Sequence, residues 1–369
     1  MKKIKLTALF LIPLLVFAAC ASSGGTTDGA SSGEGLEIVI VTSGSGVDDG
    51  SFNQDNYEGI NDFIAANPGA SVRAVASTEI ANSMNDVEAV VADYDVIVLP
   101  GFQFAGVSAI AVDNPEKFFI LVDEHPAEVD GSTEFDNIYA MTFKEQESGF
   151  FAGLAAALES AGGKVAFIGG IAFPPVVNYQ FGFEADVRWA NENLGTGAEL
   201  VAIAAYAGED VTGANVGGNY AQDFGDPAMG KVIAEALIAE GVDILFVAAG
   251  ASGNGAFTAA MENAGVMVIG CDVDQYSDGV YADGNVVLTS GLKNMRINVN
   301  RQLTAINNGT FSGGNHVLGA DTDSTGYVSA SGRHQLSADT LAVLADAYNA
   351  VKSGEIQPPG NFVPGNVAR

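Results

Sequence analysis

Two pairs of segments in this chain repeat each other at one spacing. Asp95-Val-Ile-Val-Leu-Pro-Gly101 is matched by Asp243-Ile-Leu-Phe-Val-Ala-Ala-Gly250, and Phe118-Phe-Ile-Leu-Val-Asp123 by Val266-Met-Val-Ile-Gly-Cys-Asp272. From glycine to aspartate the distance is 22 residues both times. Each segment is a continuous apolar run ending at a polar or flexible residue. Strands buried on both faces of a parallel sheet look like this. The repeat therefore predicts two similar α/β lobes rather than one large core. A chain of 369 residues is also long for a single core.

The surrounding pattern agrees. In the first series, strands are expected at Leu36–Val41, Val72–Ala76, Val96–Leu99 and Phe118–Val122. They alternate with helices at Asn53–Ala66, Ser83–Ala92 and Phe104–Val112. In the second, strands at Lys164–Ile168, Leu200–Tyr206, Ile244–Ala248 and Val266–Ile269 alternate with helices at Glu145–Leu158, Val177–Asn191, Pro227–Glu240 and Gly255–Asn263. Such alternation gives parallel sheets covered by helices on both faces. The halves differ in length earlier on. Gly44 to Gly101 is 57 residues, whereas Gly169 to Gly250 is 81, so about 24 extra residues are expected between Asn193 and Phe224. Past Asp272, a strand is expected at Asn285–Ser290 and helices at Lys293–Asn307 and Leu336–Lys352. The stretch Asn315 to Arg333 shows little pattern.

The N-terminus reads as a targeting segment. Lys2, Lys3 and Lys5 precede an apolar run from Leu6 to Phe17, broken by Thr7 and Pro13, and then Ala18-Ala19-Cys20. The run is too short to span a bilayer and fits a signal peptide over residues 1–19. Cys20 after two small residues matches a bacterial lipidation site, with Phe17 where leucine is more usual. Residues 20–35, rich in Ser, Gly and Thr, read as a flexible tether. This predicts lipid anchoring at Cys20 on the extracytoplasmic face of the cell membrane. Cys271 then lacks a disulfide partner and reads as a small buried hydrophobe.

Charge narrows the function. The chain carries 45 acids against 15 bases, a net charge of -30. Nucleic-acid binding needs a basic surface and is excluded on this ground. The charge favours a soluble monomer. His125, His316 and His334 are the only histidines, and none has metal-ligand spacing. There is no serine-hydrolase elbow and no phosphate loop. No catalytic residue, cofactor or metal is expected.

Ligands of open α/β sheets sit beyond the strand ends. The loops there, above all Gly46-Val-Asp-Asp-Gly-Ser-Phe-Asn-Gln54, are rich in Asp, Asn, Phe and Gly. That suits a small polar ligand with a flat part. A solvated turn with Asp or Ser capping the next helix is the plainer alternative. Ser51 is the expected cap.

Several segments together resemble one family. They are Val47-Asp-Asp-Gly-Ser-Phe-Asn-Gln54, Gly101-Phe-Gln-Phe104, Thr142-Phe-Lys-Glu145, Gly250-Ala-Ser-Gly-Asn-Gly255, Ile269-Gly-Cys-Asp-Val-Asp-Gln275 and Thr289-Ser-Gly-Leu-Lys293. In this order they resemble the basic membrane protein family. Its members are lipoprotein substrate-binding components of ABC transporters, typified by purine nucleoside receptors. The resemblance implies an α/β, type I periplasmic-binding-protein-like fold, with two doubly wound parallel-sheet lobes joined by a hinge of three crossings. Lobe 1 would comprise residues 36–143 and 284–315, and lobe 2 residues 144–283 and 316–369. It further implies that Phe52 and Phe224 sandwich a purine. Asp49 and Asn53 would read the base edge, and Gly250 would bring backbone near the ribose. Asp272 and Lys293 would hold the ribose hydroxyls, with Asp123 as a further contact. Phe52 and Phe224 are alternatively core residues, and Phe173, Tyr206 or Tyr220 could replace Phe224. The implied ligand is guanosine, inosine or adenosine, and the implied partners are an ABC permease and its ATPase. Two other readings stay open. One is a receptor for another polar ligand that feeds a sensor. The other is a nucleoside-processing enzyme using Asp48, Asp49, Asp272 and Asp274.

Overall fold

The computed structural model describes residues 35–282 and 284–360. The expected signal peptide and nearly all of the expected tether, with the expected lipidation site Cys20, lie outside the described residues. In chain order the first elements are β1 (Glu37–Thr42), α1 (Phe52–Ala66), β2 (Ser71–Ala76), α2 (Ser83–Val90), β3 (Val96–Pro100), α3 (Val107–Asp113), β4 (Phe118–Val122) and β5 (Ile138–Phe143). Next come α4 (Glu145–Glu159), β6 (Lys164–Gly169), α5 (Pro174–Leu194), β7 (Glu199–Leu200), β8 (Gly208–Glu209), β9 (Asn215–Gly217), α6 (Pro227–Ala239), β10 (Ile244–Ala248), α7 (Gly253–Glu262) and β11 (Met267–Asp272). The chain ends with β12 (Val280–Tyr281), β13 (Gly284–Asn285), β14 (Val287–Lys293), α8 (Met295–Asn307), β15 (Gly314–Leu318), β16 (Thr325–Tyr327) and α9 (Ala338–Lys352).

Two six-stranded sheets form, ordered β15-β5-β4-β3-β1-β2 and β16-β14-β11-β10-β6-β7. The first is parallel throughout, and the second is parallel except for its β14–β16 edge. β3 and β10 hold the same place in the two orders, as do β4 and β11, so the sequence repeat is a repeat of topology.

The apolar runs are continuous because both faces of each sheet are covered. Ile38, Ile40, Val96, Val98, Ile120 and Val122 face one core with α1 and α8. The alternate residues Val39, Val41, Ile97, Leu99, Phe119 and Leu121 face another with α2 and α3. Lobe 2 divides in the same way, with Phe167, Phe246 and Ile269 under α4, α5 and α9, and Ile168, Leu245 and Val268 under α6 and α7. Cys271 is buried in the first of these cores.

The chain passes between lobes at Phe143–Glu145, Lys293–Met295 and Leu318–Ala320. The expected lobe boundaries need correction here. β14 pairs with β11 in the second sheet, and β15 pairs with β5 in the first. Residues 295–318, not 284–315, therefore return to lobe 1. β14 completes the strand order of lobe 2 before the chain leaves it. His316, assigned to lobe 2 by the expected boundaries, lies in β15 of lobe 1 and stacks on Tyr139 with ring centroids 4.1 Å apart. The crossings are tied to each other. Lys144 N donates to Leu318 O at 2.8 Å, and Asn294 N donates to Ser324 O at 2.9 Å. The buried Glu147 carboxylate accepts Ala320 N at 2.7 Å, and Ser148 Oγ donates to Leu292 O at 2.6 Å.

Leu200–Tyr206 is not one strand. β7 ends at Leu200, and the edge position resumes at Tyr220, bridged to Gly169. The extra residues are spliced into this edge as a short 3₁₀ turn and the β8–β9 hairpin. Fully buried Asn219 closes the break. Its Nδ2 donates to Phe167 O at 2.8 Å, and its Oδ1 accepts Ile203 N at 2.9 Å.

α4 and α5 pack backbone to backbone. A Cβ on Gly149 would lie 2.3 Å from Tyr179 O, and one on Gly182 2.1 Å from Gln146 O. Asp186 is fully buried at this contact, and neither carboxylate oxygen has a hydrogen-bond partner among the described residues. Burial raises its pKa well above the usual carboxylate value. With a raised folded-state pKa, its contribution to stability is intact below the unfolded carboxylate pKa and is lost as pH rises. Asp186→Asn should thus raise the thermal midpoint by a few degrees at pH 7.5, with the gain shrinking toward pH 4. Melting curves across that range check it, and a gain independent of pH would contradict the assignment.

Candidate functional site

The site is assembled from strand ends of both lobes. At the end of β1, the loop to α1 is organised by Asp49. Its carboxylate accepts the backbone N–H groups of Ser51, Asn53 and Gln54, each at 3.0 Å. Three amides at a helix N-terminus make a strong anion seat. Asp49 therefore caps α1, and Ser51, the expected cap, makes no side-chain capping bond. This fixes the first turn of α1, which presents Phe52 and Asn53. Asn53 Nδ2 donates to Ser43 Oγ at 3.1 Å, while its buried Oδ1 has no partner among the described residues.

The repeat supplies the next pair. Asp123 ends β4 and Asp272 ends β11, with left-handed φ values of 62° and 66°. Asp tolerates this region better than most residues. The two carboxylates come from opposite lobes and meet at one cation. Lys293, at the end of β14 and at a crossing, places Nζ 2.6 Å from Asp123 Oδ2, 3.5 Å from Asp272 Oδ1 and 3.8 Å from Glu145 Oε1. Its side chain is 3% exposed. Tyr179 Oη donates to Asp272 Oδ1 at 2.9 Å, and Asn178 Nδ2 donates to Glu145 Oε2 at 3.2 Å, so α5 orients two of the three acids.

Glu145 and Asp123, buried beside one ammonium, cannot both ionise cheaply. Burial pushes Glu145 up to about 8, only partly countered by Lys293, which favours its protonated form. Burial also raises Asp123, against the pull of the same ammonium. The acids in turn raise Lys293 despite its burial, and it stays charged. Asp123 Oδ1 is left without a partner among the described residues. The ammonium also lies 5.0 Å from the centroid of the Phe52 ring, a cation–π distance.

In lobe 2, Phe224 rests on two glycines. A Cβ on Gly170 would sit 2.3 Å from the Phe224 ring, and one on Gly250, at φ 55°, would sit 3.3 Å from its carbonyl. Fully buried Ser252 holds this loop, donating through Oγ to Asp223 O and accepting Asp226 N, both at 2.8 Å.

These groups surround one cavity of about 150 Å³ between the lobes. All eight expected ligand residues, Asp49, Phe52, Asn53, Asp123, Phe224, Gly250, Asp272 and Lys293, line it. Of the alternatives to Phe224, only Phe173 does. Tyr220 is buried with its hydroxyl donated to Gln180 Oε1 at 2.6 Å, and Tyr206 packs on the α6–α7 core. Phe52 and Phe224 each line the cavity and also pack partly on their lobe's core. His125 is not part of the lining. Asp274, one of the acids considered for catalysis, is paired with Arg333 Nε at 2.7 Å. The residues not foreseen are Tyr179 and Asn178, which look like ordinary helix residues, and Glu145, which closes the motif Thr142-Phe-Lys-Glu145 but was given no role. Phe102 also lines the cavity, next to Gly101, which adopts a positive φ of 119°.

Two α/β lobes enclosing a polar and aromatic cleft form a site suited to holding a small molecule. The comparisons make this specific. Residues 36–201 and 204–360 match the family model for PnrA-like ABC transporter substrate-binding proteins. The chain belongs to that family. It is 29% identical to the ABC transporter nucleoside-binding protein BmpA of Lactococcus lactis, over 85% of this chain and 88% of that one. It is also 29% identical to a CD4+ T-cell-stimulating antigen of Listeria innocua, with 94% of each chain covered. Basic membrane protein A2 of Borrelia garinii is 28% identical over 84% of this chain and 83% of that one. Among solved structures, an ABC transporter solute-binding protein from Aeropyrum pernix superposes with a TM-score of 0.72 at 23% identity, covering 89% of this chain and 94% of that one. One from Conexibacter woesei gives 0.65 at 20%, covering 88% and 99%. The fold is thus of the type I binding-protein kind, and the class implies a small-molecule ligand and permease partners.

The acid cluster makes a prediction independent of ligand. Lys293→Met leaves Asp123 as an uncompensated buried charge, which should cost about 3–5 kcal/mol at pH 8. The deficit should shrink at pH 5, where Asp123, already pushed up by burial, takes a proton more readily. Denaturant unfolding at the two pH values checks this, and an equal deficit at both would contradict it.

Proposed function

We propose that this protein captures a purine nucleoside between its lobes and delivers it to an ABC permease. The observation that carries the reading is the pair of unpartnered buried acceptors, Asn53 Oδ1 and Asp123 Oδ1, in a cavity lined by Phe52 and Phe224. Buried acceptors without donors are costly, and a ligand that brings N–H and O–H groups removes that cost. A nucleoside has both, an amino or imino edge on a flat base and hydroxyls on the sugar. The rings of Phe52 and Phe224 would stack on the base, each contact contributing about 1–3 kcal/mol whichever purine is present. Asn53 would accept from the base edge. Because both Asp49 oxygens already accept α1 amides, we assign Asp49 chiefly to holding Phe52 and Asn53 in place.

At the other end, Asp123, Asp272 and Lys293 would take the sugar hydroxyls, with carboxylates as acceptors and the ammonium as donor. Ligand binding would then trade part of the direct Lys293–Asp123 pair for hydroxyl contacts. The nucleoside-binding relative from Lactococcus supports this ligand class. The N-terminal reading supplies the location: signal removal, lipidation at Cys20 and tethering of the body outside the cell membrane, next to the permease and its ATPase.

Isothermal titration with guanosine, inosine and adenosine should give dissociation constants of about 1 μM or tighter, near 8 kcal/mol. No heat with any nucleoside, alongside binding of a free sugar, would replace the ligand assignment. Phe52→Ala should weaken nucleoside binding at least about tenfold, the loss expected from one stacking face, with the ligand-free melting temperature nearly unchanged. A large fall in that temperature would place Phe52 in the core instead. Cys20→Ser should move the protein from the membrane fraction to the soluble one, and retention at the membrane would contradict lipid anchoring.

A further inference from the structure

Lys293 is not the only group through which the lobes meet. Phe102 belongs to lobe 1, in the turn after β3, and Phe173 to lobe 2, in the turn between β6 and α5. Their ring centroids are 4.0 Å apart, tilted by 32°. Phe173 in turn lies nearly parallel to Phe224, at 6.3 Å and 20°. All three rings line the cavity. Neither turn adjoins a crossing in the chain, so the Phe102–Phe173 contact depends on how the lobes are disposed.

Both rings are held by their backbone. Phe173 precedes Pro174, which confines it to extended conformations, and it sits at φ -76° and ψ 158°. Pro174 and Pro175 then start α5. Phe102 follows Gly101 at φ 119°, a region open to glycine. Its 3₁₀ turn is pinned by the fully buried Phe104. Rings set this firmly lose little freedom on meeting, so their contact is realised nearly in full.

We propose that Phe102 and Phe173 form an aromatic latch across the cleft, made when the lobes close and broken when they open, which sets how long a bound molecule stays. The inference rests on the cleft being the ligand site, not on which molecule fills it.

The test is a double-mutant cycle of Phe102→Ala, Phe173→Ala and the double variant in the full chain. Hydrogen exchange of the ligand-free protein is the first readout. Phe102→Ala should speed exchange in residues 171–176 on the other lobe, and Phe173→Ala should speed it in residues 101–104. The double variant should exchange no faster than the singles. The second readout is inosine dissociation by stopped flow. Each single variant should release inosine about three- to tenfold faster, the range that an aromatic pair supplies. The double variant should match the singles, with association little changed. Exchange effects confined to the mutated loop, or single effects that multiply in the double variant, overturn the latch. If inosine does not bind the wild-type chain, the nucleoside reading fails and the exchange cycle alone decides the latch.

Discussion

The buried ammonium of Lys293 is the interaction on which the rest of the site depends. It stands at a crossing between lobes and is shared by an acid from lobe 1, an acid from lobe 2 and an acid at the first crossing. One charge thus stabilises three elements that would otherwise repel. Burying ions is expensive, and a cluster like this is seldom the cheapest way to hold a fold. Its value lies in what it exposes to the cavity: carboxylate oxygens and an ammonium, held in place without bulk water. Burial favours the protonated form of Glu145, which limits the charge that one lysine must balance.

That arrangement follows from duplication. Equivalent strands of the two lobes end in equivalent aspartates with the same left-handed backbone, so lobe closure brings two related carboxylates to one point. Lobe 2 departs from the plan by breaking its edge strand to admit a hairpin. The buried Asn219 restores the backbone hydrogen bonds at the break, and the strand then runs on to the loop of Phe224. An insertion at an edge is tolerated because only one neighbouring strand must be satisfied.

Much of this was legible in the sequence, for physical reasons. Strands buried on both faces must be apolar throughout, so β1, β3, β4, β10 and β11 could be read directly. The half-exposed edge strand β15, with Asn315 and His316, has no such signature and passed for loop. β14 was recognised as a strand, but nothing local says which sheet it joins. The eight cavity residues were legible because strand-end loops of parallel sheets face the ligand and because their motifs resemble those of one family. Asp49 shows the limit of such reading. Its place in the cavity was foreseen, while its commitment to three helix amides depends on the turn that the backbone takes. Tyr179 and Asn178 are helix residues whose role appears only once α5 is laid against α4.

The unpartnered acceptors of this cleft need a donor-bearing partner, which we propose is a nucleoside. A crystal structure of the protein with bound inosine tests it most directly. The base should lie between Phe52 and Phe224 with its edge at Asn53 Oδ1, and the sugar hydroxyls should lie at Asp123, Asp272 and Lys293. A base edge turned toward Lys293, or electron density for the ligand outside this cleft, would contradict the account.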